Sequence, residues 1–206
     1  MAYIANDDRR EQFIAAAAKV IREQGLAKAT TRRIADTANA PLGSLHYSFR
    51  SKEELYEAVM QTLGETGQRL LAERVKPGMG QAAAAEAMLR SAAAWVGDAP
   101  DGELLSELEF YIWAVRSRKH AEFPHRSYGI WLDMIETLFE TAKRPEEPAR
   151  DSLAMARMVL GLIDGYNIQE QFCERGSMLP AMEIAATVMT RSIDAGDFDL
   201  DASAGG

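Results

Sequence analysis

Apolar positions in this chain recur every three to four residues, and nowhere is a two-residue alternation sustained. Phe13, Ile14, Ala17, Val20 and Ile21 form the first such stripe and predict a helix over about 8–24. Gly25 follows as a stop, since glycine reaches the left-handed conformation that closes a helix. Thr30 can cap a short helix to about 37, and Pro41 suits the first turn of another to about 48, where its missing N–H has no intrahelical partner. Ser51 and Glu54 form a capping box that opens a long helix to about 74. Further helices are predicted at about 80–97, 103–118, 126–143, 147–174 and 178–194. Breaks rich in Pro and Gly at 76–80, 98–102, around Pro124, 144–148 and 175–177 separate them. With no hairpin signal, the fold class is all-α. No internal repeat is present, and the small, acidic tail at 195–206 is expected to fray.

A short helix, a turn, a second short helix and a tight break into a long helix is the layout of a helix-turn-helix, whose second helix can lie in a DNA major groove. A net charge of −8 opposes that reading at first. Its distribution does not. Residues 1–55 carry nine Lys/Arg against seven Asp/Glu, and the remainder fourteen against twenty-four. Within 28–52, Lys28, Arg32, Arg33, Arg50 and Lys52 face a single acid, Asp36. A local basic face on an acidic body meets what phosphate contact requires and disfavours other docking orientations.

Composition narrows the class further. The chain of 206 residues holds one or two domains, and 47% hydrophobic with 26% charged residues is ordinary for a soluble globular protein. The closest approach to a membrane span, 82–96, is interrupted by Glu86 and Arg90. The first ten residues lack the basic-then-apolar order of a secretory signal, so a cytoplasmic protein is expected. Cys173 is the lone cysteine; its plain reading is a small buried hydrophobe.

The first-helix stripe ending in Gly25, Thr30-Thr31 with Ile34-Ala35, the block GSLHYSF at 43–49 and SKEEL at 51–55 together resemble the tetracycline-repressor (TetR) family of bacterial transcriptional regulators. The resemblance spans about 45 residues at several fixed offsets. Beyond the head it is confined to helical layout and to the stretch 162–166. Two departures stand out. The family commonly has Gly-Val-Ser before its recognition helix, where this chain has Asn39-Ala40-Pro41. Asn tolerates positive φ, so the turn can survive, but the helix start can shift. His46 replaces the first aromatic of the usual tyrosine-rich pattern.

Position assigns roles within the head. Ile34, Ala35, Ala38, Leu45 and Phe49 fit inward positions that lock the short helices. Thr31, Arg32 and Arg33 occupy the first turn of the positioning helix, where side chains and free N–H groups can meet phosphate; a solvated face is the alternative for the arginines. Leu42, Gly43, Ser44 and Tyr47 are the groove-facing candidates. The resemblance implies base or backbone contact for Gly43, Ser44 and Tyr47, and phosphate contact for His46. Lys52 is a phosphate point charge. No residue offers an obvious bidentate base contact, so no operator sequence follows.

The remaining residues read as a helical bundle. On 103–118, Leu104, Leu105, Leu108, Ile112 and Val115 make one stripe, and Phe110 and Trp113 a second, with Glu109 beside them. A helix apolar on two sides is central in a bundle or lines a cavity. By resemblance, Trp95, Glu109, Phe110, Trp113, Trp131, Met134 and Tyr166 are candidates for a small-molecule pocket, with ordinary core as the alternative for each. Glu109 and Asp164 could also counter a cationic ligand, with a solvated face or an Arg partner as the alternative for each. The family pairs its last two helices in a four-helix dimer interface, which nominates Leu153, Ala156, Leu160 and Ile163 with Met182, Ala186 and Met189. Gly161 and Gly165, four apart, would allow close helix approach.

Enzymatic chemistry finds little support. His120 and His125 flank a proline off a shared face and make a poor metal pair, and no nucleophile–base or phosphate-loop spacing is present. A helical adaptor with a vestigial head is the other alternative. The sequence therefore predicts a helix-turn-helix head over 1–52 and an effector-binding and dimerisation bundle over 53–206. Its expected partners are a palindromic double-stranded operator, a small, largely apolar effector and a second copy of the chain, with no cofactor, metal or membrane.

Overall fold

The computed structural model describes residues 6–99, 102–116, 122–174 and 176–200. Among these, α1 spans Asn6–Gln24, α2 Thr31–Thr37, α3 Leu42–Ser48, α4 Lys52–Ala72, α5 Gln81–Asp98, α6 Glu103–Arg116, α7 Glu122–Ala142, α8 Ser152–Glu170 and α9 Leu179–Ala195. A single 3-10 turn, Leu26–Lys28, follows α1. The described residues form no strand, only an isolated bridge between Arg150 and Asp199. The all-α reading holds.

The chain divides into two compact units, residues 1–65 with 100–124 and residues 66–99 with 125–206. In the first, Phe13, Ala17, Val20 and Ile21 of α1 pack with Ile34, Ala35, Leu45, Phe49, Leu55, Tyr56 and Phe110 in one core. Burying a large apolar side chain contributes about 1.5–3 kcal/mol, so this cluster dominates the head's stability. Polar staples fix its register. Arg10 donates to the Ser48 carbonyl at 2.8 Å and stands 4.1 Å over the Phe49 ring, and Gln12 donates to the Ala38 carbonyl at 2.7 Å.

In the second unit, α5 supplies Ala84, Ala85, Met88, Leu89, Ala92 and Val96, α7 Ile135 and Phe139, α8 Met155, Ala156, Val159, Leu160 and Ile163, and α9 Met182, Ala186, Met189 and Ile193. Alanines on α5 let neighbouring helices approach closely, and α9 lies along it.

Several boundaries differ from expectation. Pro124 lies in the first turn of α7, where it needs no N–H partner, rather than in a break. α8 begins at Ser152, not near 147, because Asp151 caps it by accepting the Ala154 N–H at 2.9 Å. Residues 144–151 instead form a polar knot: the Glu147 carboxylate accepts the N–H groups of Arg144 and Gln81, and Arg150 bridges Glu147 and Asp199. Desolvation opposes ionisation of Glu147, but these hydrogen bonds and Arg150 outweigh it and hold its pKa below the usual range. As far as Leu200 the tail does not fray; 201–206 lie outside the described residues. Gly196 closes α9 with φ 86°, and Leu200 N–H reaches the Ala149 carbonyl at 2.9 Å.

Cys173 is exposed, which overturns its reading as a buried hydrophobe. It falls past the end of α8, where no neighbouring helix covers it. His120 lies outside the described residues, and no group of three potential metal ligands occurs among those described. No helix among them is long and apolar enough to cross a membrane.

Candidate functional site

Local capping builds the reading head. The Thr30 hydroxyl accepts the Arg33 N–H at 3.3 Å and starts α2 as expected. The turn to α3 passes through Asn39 at φ 48°, the one non-glycine residue with positive φ among those described. Asparagine tolerates that conformation. Pro41 is the N-cap of α3, in extended backbone, and the helix opens at Leu42. The departure at 39–41 therefore leaves the helix-turn-helix intact.

At the far end, Ser51 Oγ accepts the Glu54 N–H at 3.1 Å. The return bond differs from the expected box. Glu54 accepts the N–H of Arg50, one residue further back, at 2.9 Å, and its other oxygen pairs with Arg10 at 3.2 Å. The same carboxylate thus anchors α4 to both the preceding turn and α1.

α3 presents two distinct faces. Leu45 and Phe49 are buried in the core. Leu42, Gly43, His46 and Tyr47 are exposed, Tyr47 at 83%, while Ser44 is half-buried. An ordinary tyrosine is far less exposed than this, since its ring gains by burial. A Cβ added to Gly43 would meet nothing within 4 Å, so the fold itself does not require glycine there. Arg32 and Arg33 are exposed and Thr31 half-buried at the start of α2. Arg33 also donates to the Lys28 carbonyl at 3.3 Å. The Lys52 ammonium lies 4.9 Å over the Tyr56 ring, which fixes its position at the start of α4.

The loop before α2 is held from two sides. Leu26 N–H donates to Glu109 Oε2 at 2.6 Å, and the single Tyr56 hydroxyl hydrogen is shared between the Ala29 carbonyl at 2.8 Å and the Leu26 carbonyl at 3.1 Å. Gly25, at φ 82°, makes the bend that exposes this N–H, and a Cβ there would lie 3.1 Å from the Glu109 carboxylate. Burial raises the Tyr56 pKa well above its ordinary value, with Glu53 adding to the effect. Neither Glu109 nor Tyr56 was assigned to the head from sequence, because their partners are remote along the chain.

The expected pocket residues separate. Glu109, Phe110 and Trp113 belong to the first unit, where Phe110 is fully buried and packs edge-on against Tyr56 and Trp113. These are core and anchoring roles. Trp95, Trp131, Met134 and Tyr166 belong to the second. Trp95 and Trp131 stack with centroids 6.5 Å apart, and Tyr166 is buried.

The expected dimer residues require correction. Ala156, Leu160, Ile163, Met182, Ala186 and Met189 are all buried within their own chain, and Leu153 is half-buried. A residue already packed inside its subunit offers no face to another. A second stripe is open instead. Met158, Gly161 and Ile168 on α8 are exposed, as are Ile184 and Val188 on α9. A groove of about 270 Å³ lies between the two helices, lined in part by Gly161, Leu162, Gly165, Ala181 and Ala185.

Residues 13–59 match the model of the tetR family of bacterial regulatory proteins. The chain is 31% identical over 168 residues to the HTH-type nicotine-responsive transcriptional repressor HdnoR of Paenarthrobacter nicotinovorans, covering 81% of this chain and 85% of the relative. The fold is similar to that of a TetR transcription regulator from Haloarcula marismortui (TM-score 0.71, 19% identity, 92% of this chain and 98% of the other). It is also similar to the multidrug binding protein EbrR complexed with malachite green (TM-score 0.66, 25% identity, 89% and 97% covered). An identity of that level, sustained over most of both HdnoR and this chain, places the chain in the tetR family of bacterial transcriptional regulators.

Proposed function

We propose that this regulator is a ligand-responsive repressor that binds a palindromic operator as a homodimer. The observation that carries the reading is the division of α3: Leu45 and Phe49 lock it into the core while Tyr47 stands 83% exposed beside open Gly43. A helix that keeps a bare tyrosine and a sterically unnecessary glycine outward suits close approach to a groove. Arg32, Arg33, His46 and Lys52 would meet phosphates around it, and Leu42, Gly43, Ser44 and Tyr47 the groove. Thr31 would join the phosphate contacts.

A single seven-residue recognition helix reads few bases, so a two-fold dimer is the economical arrangement. Its half-sites would lie about 34–36 Å apart. The exposed stripe of α8 and α9 supports pairing through those helices. Effector binding in the second unit would favour a different separation of the heads, transmitted along α4. Linkage then requires that operator weaken effector binding by the same factor. HdnoR is named for its response to nicotine and EbrR was solved with a dye, which supports a small organic effector here.

A gel-retardation experiment tests the reading. A palindrome from the DNA flanking the gene should give a retarded band that weakens steeply as salt rises. No band at low salt would overturn it.

A further inference from the structure

The last turns of α8 carry polar groups that the packing leaves unanswered. Tyr166, Asn167 and Glu170 are 5%, 7% and 8% exposed, so all three are more than nine-tenths buried. Yet Tyr166 Oη, Asn167 Oδ1 and Glu170 Oε2 have no hydrogen-bond partner among the described residues. Buried polar atoms in folded proteins are almost always paired, so each orphan calls for a physical reason. Tyr166 and Glu170 are four residues apart, and Asn167 and Glu170 three, so the three groups share one helix face. The other Glu170 oxygen already accepts the Gly176 N–H. One turn before Asn167, half-buried Asp164 accepts the Tyr128 hydroxyl from α7 at 2.8 Å.

The chemistry of the set is one-sided. Asn Oδ1 and a carboxylate oxygen only accept, and a tyrosine hydroxyl can accept as well as donate. Two carboxylates stand within two turns, and neither has an ion-pair partner among the described residues. Acceptors are satisfied by N–H donors, and a buried negative charge by a positive one. A bare divalent ion suits the set less well, since no three acidic or imidazole ligands converge among the described residues.

We propose that Tyr166, Asn167 and Glu170 form a recognition site for a protonated organic amine, whose N–H groups the orphan acceptors bind. This deepens, and rests on, the ligand-responsive reading above. It also replaces the expectation of a largely apolar effector with that of an amine.

The test uses the full chain and three probes of matched carbon skeleton: 3-phenylpropylamine, protonated at neutral pH, 3-phenyl-1-propanol and 3-phenylpropanoate. Calorimetric titration should show the amine binding at least tenfold more tightly than the alcohol, and the carboxylate most weakly. Glu170→Gln and Tyr166→Phe, each conserving shape, should bring the amine-to-alcohol affinity ratio down toward one. Glu170→Gln keeps an oxygen for the Gly176 N–H, and an unchanged circular-dichroism melt checks its fold. An amine that binds no better than the alcohol, or a ratio that survives both substitutions, overturns the proposal. Operator release, measured separately, distinguishes the two readings. Release by a neutral compound with no amine preference sinks only the amine site; amine binding that never alters operator affinity sinks only the repressor response.

Discussion

Glu109 and Leu26 are joined by a 2.6 Å hydrogen bond across 83 residues, from an α6 carboxylate to the backbone N–H at the entrance to the helix-turn-helix. Gly25 turns the chain at the end of α1 with φ 82° and leaves this N–H facing the carboxylate. Arg22 and Glu103, 3.7 Å apart, add a second link between α1 and α6. Residues far along the sequence thereby complete the reading head.

Replacing Glu109 with alanine should therefore act on the head. A buried backbone N–H left without its charged acceptor costs about 1–3 kcal/mol. Urea unfolding of Glu109→Ala should show that loss, and hydrogen exchange at the Leu26 amide should quicken. Unchanged exchange at Leu26 would show the bond to be dispensable. Glu109→Gln, which keeps an acceptor oxygen, should lose less.

Tyr56 gives the first unit a specific alkaline sensitivity. Its folded pKa is raised by burial, so in the range above about 10 the phenol ionises more readily in the unfolded chain. The unfolded state then binds fewer protons, and stability falls as pH rises. The contribution is fully present below about pH 10 and is lost above it. Tyr56→Phe should lower neutral stability by about 1–2 kcal/mol through loss of the hydroxyl's bonds to Leu26 and Ala29. It should also flatten the decline between pH 9.5 and 11, about the ordinary tyrosine value. Urea midpoints for both proteins across that range check the sign.

On the DNA side, Tyr47→Ala should leave the melting temperature unchanged, since a side chain 83% exposed contributes little to packing. Operator affinity should fall at least about tenfold, or 1.4 kcal/mol. Arg32→Gln should behave differently: affinity should drop alike for operator and non-specific DNA, with the salt slope smaller by about one. Fluorescence anisotropy at several salt concentrations separates the two patterns. Full affinity in Tyr47→Ala would contradict the groove-facing placement of α3.

What could be read from the sequence tracks how local each determinant is. Thr30 and Ser51 were legible because a cap and its target lie three residues apart. The inward pair Leu45 and Phe49 was legible because helical spacing puts both on one side. Glu109, Tyr56 and the Arg10–Glu54 pair were not, since a contact over tens of residues leaves no period to detect. α8 misled for another reason. It is apolar on two sides, and the richer stripe, Ala156, Leu160 and Ile163, went to the subunit core. The stripe of Met158, Gly161 and Ile168 was left outward. Hydrophobicity alone cannot say which of two apolar faces its own chain covers.

Gly67 tests the packing of the second unit. A Cβ there would lie 2.7 Å from Trp131 Cη2 and 3.0 Å from Trp95 Cη2. Both indoles present their far edge to this glycine, and because they stack on each other neither moves without the other. Gly67→Ala should destabilise by about 1–3 kcal/mol, the usual cost of overpacking. The stacked pair should shift in near-ultraviolet circular dichroism. An unperturbed tryptophan spectrum with full stability would show that the rings do not meet at this glycine.

Gly165 separates pairing from folding. A Cβ added there meets nothing within 4 Å in the chain, and the same holds for Gly161 one turn earlier. Gly165→Glu should therefore leave the subunit folded, and replacing a mid-helix glycine even favours the helix by up to about 1 kcal/mol. A second copy would meet a carboxylate where it needs close helix contact, and burying that charge unpaired is strongly unfavourable. Light scattering should give twice the 22.7 kDa chain mass for the parent protein and the single mass for the variant, with helical content retained. Operator affinity should fall with it, because each free head keeps only one half-site. Met182→Glu is the contrasting substitution: its site is 3% exposed, so it should unfold the second unit rather than yield a folded monomer. A Gly165→Glu variant that stays dimeric would move the pairing surface away from the α8–α9 stripe.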